Sequence, residues 1–121
     1  YTSFSYADLS AQFLENDGKP ALKVSFTVEN TGQRAGDEIA QVYISDPECS
    51  EERPVKELKG FAKVRLEAGE RKEVCVMLDE SAFAFYSEKS GSWISEPGEF
   101  EVQIGASASD IRLRCRVLLQ G

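Results

Sequence analysis

Histidine is absent from the 121-residue chain. That absence removes Ser-His-Asp and Cys-His catalysis, histidine-ligated zinc and most proton shuttles in one step. Cysteine is scarce as well: three thiols cannot all pair within one chain, and small secreted domains usually carry an even number. The odd count leans towards a reducing, cytoplasmic setting, with Cys49, Cys75 and Cys115 read as buried or tolerated thiols. Positive charge is the minority sign, 14 basic against 21 acidic residues, for a net charge of -7. Such a chain repels phosphate backbones and anionic lipid, so neither nucleic acid nor a membrane is expected as a partner. No apolar run nears the roughly 18 residues of a spanning helix. The one basic cluster, Arg112, Arg114 and Arg116, alternates along a strand and reads as a solvated face set against acidic neighbours.

What is present is the pattern of short strands. The length suits one domain over residues 1–121, with the 41% apolar and 29% charged residues of an ordinary globular protein. From Ala21 to Glu29, Leu22, Val24, Phe26 and Val28 alternate with polar residues, the period-two signature of a half-buried strand. "ENTGQRAGD" then turns the chain through Asn30, Gly32 and Gly36. Ala40, Val42 and Ile44 mark the next strand, which ends near Asp46-Pro47, with Gln41 and Tyr43 facing outward.

Beyond the polar loop "PECSEERP", "VKELKGFAKVRL" is extended and interrupted at Gly60, with Phe61 assigned to the core. In "RKEVCVMLD", Val74, Val76 and Leu78 face inward while Glu73, Cys75 and Met77 face out. Asp79 caps a single helical turn, "ESAF". A hairpin follows with Ser90-Gly91 in its turn, then strands carrying Phe100, Val102 and Ile104, and Ile111, Leu113, Cys115, Val117 and Leu119. The opening "SFSYADLSAQFL" supplies one or two more. Seven to eight short strands with no convincing helix predict an all-β, antiparallel β-sandwich of the immunoglobulin-like or fibronectin type III-like kind. Sandwiches of this kind host many roles, so the pattern alone names none.

Chemistry is harder to find than scaffold. Glycoside hydrolysis needs two carboxyl groups about 5–10 Å apart across a sugar site, and the acidic residues here fall on outward positions and in loops. Asp46, Glu48, Glu51 and Glu52, in the 46–54 loop, are calcium-ligand types without the Asp-x-Asp-x-Asp-Gly order of a dedicated loop. No metal or cofactor is therefore assigned. Among the twelve aromatic residues, Tyr43, Tyr86 and Trp93 are candidates for an exposed platform, a surface that covers core, docks another domain or stacks on a sugar ring.

Three segments in order, "VENTGQRAGDEIAQVYISDP", "RPVKELKGFAKVRLEAGERKEVCVMLD" and "FAFYSEKSGSWISEPGEFEVQIGASASDIRL", resemble the C-terminal fibronectin type III-like domain of glycoside hydrolase family 3 enzymes, typically β-glucosidases and β-xylosidases. "RPVKELKGF" and the glycine-punctuated run from Glu96 to Ser107 are the most specific pieces. The opening "YTSF" is similar to the second half of the family's "GLSYT-F" junction, so a fragment of a larger chain is expected. The resemblance implies a non-catalytic accessory module packed on the preceding catalytic domains, with an edge towards the active-site entrance and the oligosaccharide there. The family's aspartate nucleophile and glutamate acid/base belong to other domains, and no residue of this chain matches them. The residues expected at an interdomain or sugar contact are Arg53 and Lys56, with Tyr43, Tyr86 and Trp93 as apolar anchors. An internal pairing of Arg53 and Lys56 with Glu51, Glu52 or Glu57 is the competing expectation. The alternatives are a carbohydrate-binding module and a stand-alone protein-interaction sandwich.

Overall fold

The computed structural model describes residues 3–16, 18–45, 56–94 and 97–119. Strands β1 (Phe4–Asn16), β2 (Lys19–Asn30) and β5 (Arg71–Leu78) form one antiparallel sheet in the order β1-β2-β5. Strands β3 (Gly36–Ser45), β4 (Glu57–Leu66), β8 (Gly98–Ser107) and β9 (Asp110–Leu119) form the other, in the order β4-β3-β8-β9. A short hairpin, β6 (Phe85–Ser87) with β7 (Ser92–Ile94), stands apart and turns at Gly91, whose positive φ of 70° suits a residue without a Cβ. The immunoglobulin-like sandwich is therefore built, among the described residues, from seven sheet strands and this hairpin.

The two inner faces make one core. Val24, Phe26, Val42, Phe100, Val102 and Ile104 are fully buried in it, while Val76 and Leu113 pack at its margin. Phe13, Phe83 and Phe100 meet edge to face at one end, with Phe13 and Phe83 centroids 5.2 Å apart. Phe83 arrives from the 3-10 turn Glu80–Phe83, so a helical turn too short to pack as a helix still delivers a core ring.

Two expectations change. Phe61 is 68% exposed instead of buried. Pairing with β3 sets Ala62 opposite Ala40 and Gly36 opposite Leu66, so Ala62, Val64 and Leu66 take the inner phase and Phe61 must point out. The opening segment is one strand, with its register to β2 shifted between Ala7 and Ser10 around Asp8, which has a φ of 57°. The extra residue moves the buried phase from Phe4 and Tyr6 to Leu9, Ala11 and Phe13, which is why alternation alone left one strand or two open.

Asn30 is fully buried at the end of β2 and joins three segments. Its Nδ2 donates to the carbonyls of Arg34 at 2.8 Å and Leu66 at 3.1 Å, and its Oδ1 accepts from the Gly32 amide at 2.9 Å. Each buried group orphaned costs about 1–3 kcal/mol. Asn30→Ala is therefore expected to lower unfolding free energy by at least about 2 kcal/mol in chemical denaturation; a loss under about 0.5 kcal/mol would refute the hub.

Where β1 meets β9, Tyr6 stacks on Phe26, with centroids 6.1 Å apart, and its buried hydroxyl has no hydrogen-bond partner of good geometry among the described residues. Burial first, then the Glu38 carboxylate, push this phenol well above the ordinary 10.0, with Asp110 adding to the effect and Arg112 opposing it. Above pH 10 the unfolded chain loses this proton and the folded chain keeps it, so the stability contributed below pH 10 declines as pH rises. Tyr6→Phe is expected to match or exceed the parent's stability at pH 7 and to lose less of it between pH 10 and pH 11.5, followed by urea midpoints. Parallel curves for the two proteins would contradict this account.

Candidate functional site

The expected contact residues fall into two places. Tyr43 lies on β3, a central strand, between Leu58 of β4 and Gln103 of β8 on the outer face of the larger sheet. The Lys56 ammonium sits 5.3 Å from its ring centroid, donates to the Ala108 carbonyl at 2.7 Å and lies 3.5 Å from Gln103 Oε1. Tyr43 Oη donates to Gln41, and Gln103 Nε2 donates to Glu101. Tyr43 points outward as alternation requires, yet it is only 7% exposed because this cover lies over it. The expected exposed ring is not found. Cation–π contacts contribute about 0.5–2 kcal/mol, more as water is excluded, so Lys56 is held here as part of a covered polar layer. Glu57 pairs with Lys59 at 3.2 Å, while Lys56 bonds to Gln103 and Ala108. Arg53 and the 46–54 loop lie outside the described residues, and with them the calcium reading.

Trp93 is elsewhere. It stands on β7 opposite Tyr86 in backbone register, is 70% exposed, and borders a cleft of about 780 Å³ lined also by Lys19, Pro20, Lys59, Asp79 and Glu80. The Tyr86 side chain is outside what is described. Asp79 accepts hydrogen bonds from the hydroxyl and the amide of Ser81, and these hold its carboxyl below the usual carboxylate range. It is engaged as the cap that the sequence signalled. Two of the three arginines on the basic face of β9 are likewise committed: Arg112 pairs with Asp110 at 3.0 Å, and Arg116 reaches Glu99 and, at 3.7 Å, Glu101. Cys115 is half-buried and burial pushes its thiol up, whereas Cys75 is exposed; both are free. Among the described residues no group of three or more acidic or cysteine side chains is placed to hold a metal ion.

Five exposed apolar residues lie outside the contact candidates that the sequence indicated: Ile39, Leu58, Phe61, Met77 and Leu118. Met77 had a usable signal, an apolar side chain on the polar phase of its strand. Phe61 had none until the phase of β4 was fixed.

A covered polar layer over Tyr43 and an exposed tryptophan beside a cleft describe a β-sandwich whose described surface offers contact chemistry. Residues 38–108 match the family profile of the fibronectin type III-like domain, and the chain belongs to that family, in the form found in glycoside hydrolase family 3 β-glucosidases. It is 49% identical over 114 residues to the β-glucosidase BoGH3A of Bacteroides ovatus, a match covering 93% of this chain and 15% of that protein. An exo-α-(1→6)-L-arabinopyranosidase of Bifidobacterium breve is 38% identical over 119 residues, 98% of this chain and 16% of the relative. β-Glucosidase 3B of Thermotoga neapolitana, solved in complex with glucose, superposes with a TM-score of 0.88 at 39% identity, covering all of this chain and 16% of that one. The chain thus spans about one-sixth of the length of the relatives it matches.

Proposed function

We propose that this chain serves as the non-catalytic accessory domain of a family 3 glycoside hydrolase, a retaining β-glucosidase or a related exo-glycosidase, packing on its catalytic domains and bordering the active-site entrance. The observation that carries the reading is the match along nearly the whole chain to about 15% of the B. ovatus β-glucosidase. A domain's worth of sequence is shared, and no catalytic carboxyl pair is legible in it. The arabinopyranosidase relative widens the range of sugars that this domain accompanies. The chain alone is expected to leave a nitrophenyl β-glucoside intact, while the polypeptide encoded by its full reading frame cleaves it. Turnover by the chain alone that one acidic substitution within it abolishes would overturn the proposal.

The exposure of Trp93 beside its cleft favours one second reading, a carbohydrate-binding surface. Calorimetric titration with cello- and xylo-oligosaccharides separates the two. Binding that Trp93→Ala removes supports the sugar site, and the absence of heat at high ligand concentration discards it.

A further inference from the structure

Each long seam of the sandwich is crossed by one cation that donates to a backbone carbonyl. At the β1–β9 seam Arg112 reaches across, donating to the Phe4 carbonyl and lying 5.0 Å from the Tyr6 ring centroid. At the opposite seam Lys72 of β5 donates to the Arg65 carbonyl of β4 at 3.3 Å, and among the described residues β4 pairs only with β3 and β5 only with β2, which leaves the facing edges unpaired there. Between them runs a groove of about 460 Å³ lined by Leu58, Lys59, Gly60, Phe61, Val76 and Met77. Leu58 is 50% and Met77 53% exposed, and with Phe61 they place three large apolar side chains in water along one edge. An open, apolar strand edge is an association surface.

The charges along β4 indicate what it fits. Lys59 is held by Glu57, and Arg65 faces Asp37 at 3.4 Å, but Lys63 on the same strand makes no ion pair among the described residues. A complementary surface is therefore apolar with a carboxylate opposite Lys63. Two copies meeting from dilute solution need well over about 1,000 Å² of buried area, far more than three side chains supply. A covalently tethered neighbour meets the groove at an effective concentration of about millimolar, where a small patch suffices.

We infer that the β4–β5 groove is the surface on which a neighbouring domain of the same polypeptide docks, presenting apolar side chains with a carboxylate facing Lys63. This rests on the reading of the chain as one domain of a larger hydrolase. Its test can fail separately from that reading.

Met77 is the only methionine in the chain and lies in the groove, so its oxidation by hydrogen peroxide reports cover at that position. In the full-length polypeptide, read by mass spectrometry of the Met77 peptide, oxidation is expected to be at least about tenfold slower than in the same polypeptide unfolded in urea. Phe61→Asp, a change at an exposed side chain of this domain, is expected to restore most of the unfolded rate, and Lys63→Glu part of it. Oxidation of the folded parent within about twofold of the unfolded rate would overturn the inference, as would protection that vanishes on dilution and so assigns the cover to a second copy. The same preparation is assayed on the nitrophenyl glucoside. Hydrolysis with an unprotected Met77 removes the docking surface and leaves the accessory role, while protection without hydrolysis supports the surface and removes the β-glucosidase assignment.

Discussion

Phe26→Ala is expected to lower the unfolding free energy by about 3–5 kcal/mol, the range for deleting a phenylalanine ring from a packed core. Phe26 is fully buried on β2, the central strand of its sheet, opposite Val74 on β5 and stacked on Tyr6 of β1. Neighbours on both flanking strands are fixed by backbone pairing, so they cannot close over the void, and the cavity cost adds to the lost transfer energy. Phe61→Ala is the comparison. Its ring is in water in this domain, and its removal is expected to change stability by no more than about 0.5 kcal/mol. Urea denaturation of both variants decides the matter: equal losses would mean that the assignment of the two rings to core and surface is wrong.

The second large effect belongs to a residue without a side chain. A Cβ at Gly105 would lie 2.3 Å from the Asp110 carbonyl oxygen and 3.0 Å from Ile111 Cα, both backbone atoms of the neighbouring β9. Pairing of β8 with β9 shifts register on both sides of Gly105, which brings the strands together there. Backbone held in a ladder cannot rotate aside, so Gly105→Ala must part the two strands. The loss is expected at or above the upper end of the about 1–3 kcal/mol typical of overpacking. Gly60→Ala is the control, because its Cβ would meet Leu78 Cδ2 at 2.9 Å and Val76 Cγ1 at 3.2 Å, ends of side chains that can turn. A Gly105→Ala protein as stable as Gly60→Ala would show that β8 and β9 are not this close.

This contact also gives a physical reason for the glycine in "VQIGAS", one of the pieces that carried the family resemblance. Much else was legible because it is local. Alternation assigned faces correctly along β2, β8 and most of β9, the serine-glycine pair marked the hairpin, and Asp79 marked the cap. Phe61 failed because "LKGFAKVRL" carries apolar residues on both phases, and only pairing with β3 chooses between them. Tyr43 failed differently. Its face was right, but the lysine that covers it is thirteen residues further on and is itself anchored to Ala108, 52 residues away from it in sequence.

By itself the amino-acid order determined an all-β sandwich, the inward half of each regular strand and membership of the fibronectin type III-like family. A period of two is a property of a strand's own neighbours, and it survives whatever the strand packs against. Only the tertiary structure decided which outward side chains stay in water, that Asn30 ties three segments together, and that an apolar groove opens beside β4 and β5. Exposure is a sum over atoms supplied by strands distant in sequence, and no window along the chain contains them.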